Sequence, residues 1–540
     1  MTRTVVIGAG VAGLATAALL AREGHQVTVL ERRPEIGGRA GSLERDGFRF
    51  DVGPSWYLLP RVFDHFFEML GTSTEEQLDL RLLDPAYTVF SPPTAPDRAG
   101  AGTPDPFTVP LGEDEVVAAF EAREPGSGKV LQTYLASARR TTTMAERYFL
   151  YNPFTRLRSL LQPEVLGSLP TLVGLLLRSL KAHVAARFTD PVLRQVLGYP
   201  AVFLGTNPAA APSMYHLMSA LDLSDGVQYP QGGFWELVQR LAALAEEQGA
   251  VLTTGADVQT ITTARRGGRR RATGVTWRDG EGNLHHQEAD VVVSAADLHH
   301  TETRLLGPGE RTYPQPWWDR RTSGPGAVLV MLGVRGGLPK LPHHSLFFTA
   351  DWDANFEAIF GKRPRVPDPA SIYVCKPSQT DPDVAPAGHE NLFVLVPVPA
   401  DPGLGAGGPD GSGSPVVEKV ADAAIAQVAD WAGIPDLAER VVVRHTIGPA
   451  DFADQYHSWQ GGMLGPAHIL SQSAMFRAQN ASRKVDGLYY AGATTAPGVG
   501  VPMCLISAEL VLKRIRGDHS PGPSPVQRPT ARGSAASSGV

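Results

Sequence analysis

The sequence predicts an α/β protein that assembles a dinucleotide-binding domain from distant parts of the chain, and three stretches predict it. Residues 4 to 30 read strand, glycine turn, helix, strand. Residues 487 to 514 repeat the order strand, glycine turn, helix near the other end, and Phe234 to Ser294 supplies a further helix and strands between them. A strand, crossover helix and strand form one βαβ unit of parallel sheet.

The bulk properties suit this. A chain of 540 residues with 43% hydrophobic content exceeds what one core usually serves, so two or more domains are expected. A net charge of -6 argues against a general electrostatic grip on nucleic acid, so no nucleic-acid partner is expected and any membrane contact must be local. Two cysteines, Cys375 and Cys504, cannot form a disulfide framework, which fits a reducing, cytoplasmic setting. The apolar run Val5 to Ala21 resembles a signal-peptide core, but its glycines have a better explanation in the turn. Val165 to Leu177 is shorter than the roughly 20 residues a span needs, and the uncharged stretches Val196 to Leu221 and Gly487 to Ala508 are interrupted by proline, glycine and asparagine. No transmembrane segment is expected.

The first strand is Thr4 to Ile7, followed by the turn Gly8 to Gly13, a helix from Leu14 to Arg22 and a strand from Gln26 to Leu30. Gly8 permits the tight turn, Gly10 lets backbone approach a pyrophosphate, and Gly13 allows helix and strand to pack closely. The helix start offers free N–H groups and about half a positive charge to phosphates. Glu31, at the end of the second strand, is placed to accept hydrogen bonds from a ribose. These features make a Rossmann-type fingerprint. In Ile36-Gly37-Gly38-Arg39-Ala40-Gly41-Ser42, two glycines let main chain lie against a cofactor, and Arg39 brings a permanent cation near the diphosphate.

Later elements follow the same logic. Phe234 to Gly249 places Leu237, Leu241 and Leu244 on one helical face, ahead of strands Val251 to Thr254 and Asp257 to Ile261. Arg265 to Arg271 reads as a solvated hairpin tip between Thr260 to Thr263 and Gly274 to Trp277, and Asp290 to Ser294 as a buried strand. Ser414-Pro415 caps a helix whose Val417, Val420, Ala424 and Val428 share a packing face. Ser91 to Pro106, Asp401 to Pro415 and everything after Gly517 read as unpacked. Gly487 to Thr495 and Pro497 to Met503 give a strand, a glycine turn and a helix running to about Arg514. No internal repeat and no metal-ligand set is read.

The glycine pair with Arg39 resembles the second signature of the amine-oxidase-like FAD superfamily, and Gly487-Leu488-Tyr489-Tyr490-Ala491-Gly492 resembles its C-terminal one. Several further segments resemble bacterial-type phytoene desaturases, a carotenoid desaturase family: Asp46 to Ser55, Tyr229 to Phe234, Pro342 to Ser345, Leu395 to Pro399, Gln472 to Arg477, and Ala496 to Pro502. Thr494, Ala496 and Met503 depart from the commonest form of the last. The resemblance covers most of the chain up to about Arg516.

It implies a Rossmann-type, amine-oxidase-like FAD-binding domain with an interleaved mixed α/β substrate domain and a helical membrane-facing region. The FAD-binding domain would comprise residues 1–70, 226–305 and 446–516. The substrate domain would comprise 71–225 and 306–445, leaving 517–540 as a disordered tail. FAD would be held by Gly8, Gly10, Ala12, Gly13, Glu31, Arg33, Gly38, Arg39, Pro54, Ser55, Val258, Gly492, Val501, Pro502 and Met503. Arg33 would lie along the adenosine, Gly492 at the ribityl phosphate, and Pro54 to Trp56 and Val501 to Met503 near the flavin ring. The implied reaction is dehydrogenation of a carotenoid, phytoene toward lycopene, with hydride passing to FAD and reoxidation by oxygen or a quinone. No general base is assigned. The family's acid and arginine align roughly with Pro163, Glu164 and Leu166 without being cleanly reproduced, and the pair His343-His344 is expected to orient backbone or face solvent. A carotenoid isomerase, an FAD amine oxidase or protoporphyrinogen oxidase, and a lipid-binding chaperone of the same fold remain alternatives.

Such a substrate dictates how it arrives. Moving about 40 carbons through water costs roughly 30 kcal/mol, so the substrate is expected to come from the bilayer to a peripherally attached enzyme. Within Pro153 to Phe188, Leu157, Leu160, Leu161, Leu166, Leu169, Leu172, Leu175, Leu176 and Leu177, flanked by Arg156, Arg158, Arg178, Lys181 and Arg187, have the composition of an interfacial surface.

Overall fold

Thr4-Val5-Val6-Ile7 is an apolar run buried on both sides, as a central parallel strand requires. The structure, a computed structural model, describes residues 1–93, 105–156 and 162–526. The strands that position the site are β1 (Arg3–Ile7), β2 (Gln26–Leu30), β3 (Tyr87–Phe90), β4 (Phe107–Val109), β5 (Val251–Thr253), β6 (Val291–Ser294), β7 (Gly326–Arg335), β8 (His344–Phe347), β9 (Ile372–Cys375), β10 (His389–Val398), β11 (Val441–Ile447) and β12 (Leu488–Tyr490). The helices are α1 (Val11–Arg22), α2 (Ser127–Ala145), α3 (Leu169–Leu177), α4 (Gly233–Glu247), α5 (Trp352–Phe360), α6 (Pro415–Trp431) and α7 (Val501–Arg516).

The first sheet is parallel, in the order β12-β6-β1-β2-β5. Val5 pairs with Thr28 on one side and Val292 on the other, so the sheet interleaves strands from the start, middle and end of the chain. Helix α1 is buried from Val11 to Ala21 and touches α7 and α4. A helix apolar all round belongs inside, which explains why this segment imitates a signal peptide.

The second sheet runs β11-β7-β10-β9-β8-β3-β4, antiparallel except where β8 pairs with β3. Alternate residues separate its faces. Val328, Val330, Val374, Val394 and Val396 share a core with Val417, Val420, Ala424 and Val428 of α6. Leu329, Tyr373, Phe393 and Leu395 belong to the other face, toward a cavity. Ser414 stands at the start of α6 as expected, but its side chain accepts no hydrogen bond from the helix; its Oγ accepts from Ala406 N at 3.0 Å.

Two stretches expected to be unpacked are packed. Residues 401–415 lie against β11 so closely that a Cβ on Gly407 would stand 2.0 Å from the Thr446 carbonyl oxygen. The glycines there serve close approach rather than looseness. Beyond Gly517 the chain folds back on α7, where buried Lys513 Nζ donates to the carbonyls of Ser520 and Gly522, and Ser524 N donates to Glu509. Residues 94–104 of the third such stretch and residues 527–540 lie outside the described part. The basic hairpin pairs Asp257–Arg266 with Arg269–Arg278 through Gly267 and Gly268, both at positive φ, longer than expected but with the tip where it was placed. Among the described residues no helix is long and apolar enough to cross a membrane.

Candidate active site

A cavity of about 650 Å³ lies between the two sheets. Its walls contain Gly8, Gly10, Ala12, Glu31, Gly38, Arg39, Pro54, Ser55, Val258, Gly492, Val501, Pro502 and Met503. Residues expected from opposite ends of the sequence therefore meet around one space. Gly8 adopts φ +95°, and a Cβ on Gly13 would stand 1.9 Å from the Gly8 carbonyl oxygen, so these two glycines shape the turn by different means. Gly13 supports the wall from behind and does not line it. Gly37 N donates to Ala9 O at 2.8 Å, which brings the second glycine pair against the first loop. Gly492 approaches Ala12 from the other terminus.

Polar groups at this end of the cavity are held in place by the chain itself. The Glu31 carboxylate accepts from the Ala9 N at 2.8 Å and from the Arg33 N at 2.9 Å. The Arg33 side chain lies off the cavity, over the Tyr456 ring and donating to its hydroxyl, while neighbouring Arg32 lines the wall. Arg39 Nη2 donates to Ser458 Oγ at 2.5 Å and stands 3.9 Å from Asp297, while its Nε is buried without a partner among the described residues. Burial pushes the Asp297 carboxyl up, against the pull of Arg39. Two helices, α1 and α7, begin at glycines on this cavity and accept no side-chain cap, leaving N–H groups free. An orphaned guanidinium N–H and the uncapped start of α1 fit a cofactor diphosphate. Asp297, His300 and Arg32 were not anticipated; the polar residue just past the end of β6 was the available signal for Asp297.

The rest of the cavity is apolar. Leu172 and Leu176 of α3, Met144 of α2, Phe203, Phe348 and Phe356 line it. Among the described residues, every Asp, Glu, Lys or Arg in the wall, namely Glu31, Arg32, Arg39, Asp257 and Asp297, is at the end lined by the nucleotide motifs. Helix α3 has two apolar faces: Leu172 and Leu176 point inward, whereas Leu169, Val173 and Leu177 are exposed, Leu177 by 76%. Leu470, Met475 and Phe476 are also exposed and line the same cavity, so its apolar lining reaches the surface. Leu157, Arg158, Leu160 and Leu161 lie outside the described residues. Glu164 is an exposed surface residue, accepting from Arg147 and from the Tyr148 hydroxyl at 2.6 Å, and takes no part in the cavity.

His343 and His344 are not solvent-facing as expected; they are 2% and 0% exposed. His344 pairs across the strands with Cys375, which puts Tyr373, two residues earlier on β9, on the same face. Tyr373 Oη lies 2.8 Å from His344 Nδ1 and 2.5 Å from Ser55 Oγ. His344 stacks on Trp56, at 4.7 Å between ring centroids. His343, His344 and Cys375 each offer one ligand-type atom within 4.8 Å of the others. Burial lowers both imidazoles, His343 to about 3, and raises the Cys375 thiol to about 12.

Residues 11–515 match the family described as flavin containing amine oxidoreductase. A carotenoid 3,4-desaturase of Haloarcula japonica is 40% identical over 93% of this chain and 96% of its own. A zeta-carotene-forming phytoene desaturase of Myxococcus xanthus is 34% identical over 95% of this chain and 93% of its own. Among solved structures, an oxidoreductase from Methanosarcina mazei superposes with a TM-score of 0.58 at 17% identity, covering 95% of this chain and all of that one, a likeness of fold.

Proposed function

The chain belongs to the flavin-containing amine oxidoreductases and, within them, to the carotenoid desaturase family, and from that premise we propose that it dehydrogenates phytoene stepwise toward lycopene. It is an FAD-dependent oxidoreductase. When bound, FAD supplies a two-electron acceptor for hydride. The residues proposed to hold it are those of the nucleotide end of the cavity, with Glu31 toward the ribose, Arg39 and the start of α1 toward the diphosphate, and Pro54, Ser55 and the start of α7, Val501 to Met503, toward the ring. Gly13 and Arg33 would act from outside the wall, by close packing and through the Arg33 main-chain N–H.

One observation carries the substrate class: away from the nucleotide end the walls hold no charged side chain among the described residues. A protonated amine would be left there without a counterion, at a cost of several kcal/mol, whereas a polyene needs only apolar contact. Each dehydrogenation leaves the next saturated bond allylic, so one site can repeat the step as the chain slides. The exposed apolar residues of α3 and of the Leu470 to Phe476 segment, flanked by Arg178 and Lys181, support a bilayer-facing mouth and peripheral attachment to one leaflet. Oxygen or a membrane quinone would then recycle the cofactor.

The higher identity to the carotenoid 3,4-desaturase favours a second reading, in which the substrate is already coloured. Incubating the holoenzyme with vesicles carrying phytoene, neurosporene or lycopene separately decides between them. Phytoene should give products absorbing in the visible and should bleach the flavin anaerobically. Inertness toward phytoene with turnover of lycopene would replace the first reading by the second.

A further inference from the structure

Dehydrogenation releases a proton into an apolar cavity, and among the described residues no carboxylate stands in that part of the wall to take it. Two of the hydroxyls that do line the cavity, Ser55 Oγ and Tyr373 Oη, are 2.5 Å apart and open a chain of polar atoms leading inward. Tyr373 Oη is 2.8 Å from His344 Nδ1. His344 Nε2 and His343 Nε2 are both buried without partners among the described residues, and Cys375 is within reach of both rings. On the far side His343 Nδ1 is 2.7 Å from Thr380 Oγ1, and Thr380 is half-buried at the edge of the protein.

Resting on the desaturase reading, we propose that Tyr373, held by Ser55, and then His344, His343 and Thr380 form a proton path from the cavity to the surface. In the step, one C–H bond of the substrate breaks with its electron pair passing to FAD as hydride. The neighbouring C–H bond breaks with its pair becoming the new π bond. Its proton goes to Tyr373 Oη while Tyr373 passes its own proton to His344 Nδ1. His344 then releases the proton on its Nε2 toward His343 Nε2, across a gap that the Cys375 thiol or one water spans, and His343 passes the proton on its Nδ1 to Thr380 Oγ1 as the Thr380 hydroxyl gives its own proton to solvent water. Cross-strand pairing of His344 with Cys375, and diagonally with Tyr373, fixes His344, Cys375 and Tyr373 on one face of a buried sheet.

The low basicity that burial imposes on both imidazoles suits transfer rather than storage. The carbon that loses the proton is next to a developing cation and is strongly acidic, so the acceptor needs position more than basicity. The path also accounts for two orphaned imidazole nitrogens in one place, which a purely structural pair would leave unexplained. In this scheme Tyr373 is a catalytic residue and His344, His343 and Thr380 act through it.

The test is anaerobic single-turnover flavin reduction by holoenzyme with phosphatidylcholine vesicles carrying the carotene turned over above, in H2O and D2O. Tyr373→Phe should slow reduction by about 10²-fold or more, the usual range for a lost acid–base group, and abolish the solvent isotope effect. Its FAD content and KM should stay unchanged. His344→Gln should slow reduction with the same unchanged KM, and it serves as the readout should Tyr373→Phe lose its flavin. Wild-type rates in both flavin-loaded variants would overturn the path alone. A wild type that is bleached by no carotene would overturn the desaturase reading and the path with it. One zinc per chain by elemental analysis, lost in Cys375→Ser, would also overturn the path, because the metal would occupy the ring nitrogens.

Discussion

At the scale of single residues, the groups with the most to say are those whose burial is at odds with their chemistry. Asp222 is 5% exposed, accepts from the Tyr87 hydroxyl at 3.0 Å and leaves Oδ1 without a partner, and burial pushes its carboxyl up from 3.8 to about 7. The folded state therefore keeps its proton where the unfolded chain has lost it. Stability from this group is fully present below the unfolded pKa and is lost as pH rises through about 7, a displacement corresponding to about 4 kcal/mol. Urea unfolding at about pH 4 and about pH 8 should show the wild type losing more stability between them than Asp222→Asn; equal losses would mean that Asp222 ionises freely in the fold. The glycines of the nucleotide turn were legible because each answers a local demand, Gly8 its positive φ and Gly13 its contact with the Gly8 carbonyl. Tyr373 and His344 were not. Their partnership depends on the register of β8 with β9, and nothing in either local sequence states which residue of one strand will oppose which of the other.

Elements were legible where one surface dictated their pattern. The four residues of α6 expected on one face all lie against the sheet, and the strand–turn–helix order at both ends of the chain is as read. Helix α3 misled in detail because it is apolar on two sides for two reasons, and a leucine count does not distinguish the inward pair Leu172 and Leu176 from the outward set. The outward set carries the attachment prediction. Replacing Leu169, Val173 and Leu177 by serine should change folding stability by no more than about 0.5 kcal/mol per site, since each is exposed. Sedimentation with vesicles should fall several-fold, while FAD content is kept. Undiminished sedimentation would move the attachment elsewhere. The segment 401–415 was misread for a different reason: glycine that serves close approach to β11 and glycine that serves flexibility look identical in one sequence.

At the scale of the molecule, the cofactor-binding sheet has no contiguous form. Strands β1, β2, β5, β6 and β12 come from separate stretches, and helix α1 is closed over by α7. A chain ending after Asp486 lacks β12 and α7, exposes one side of β6 and uncovers buried faces of α1. It should carry no flavin spectrum and should aggregate, as a sheet with an open hydrophobic edge does. Stoichiometric FAD in that truncated chain would show that the last strand and helix are dispensable for binding.

The position of β12 and α7 at the end of the chain has a consequence during synthesis. While the ribosome is still decoding the second sheet, β1 and β2 have been made but the wall built from Gly492 and Val501 to Met503 has not. Early segments can begin to fold as they emerge, yet the cavity lacks this wall until β12 and α7 have left the exit tunnel. Until those segments have been made, α1, which is buried along its length in the folded protein, is left partly uncovered.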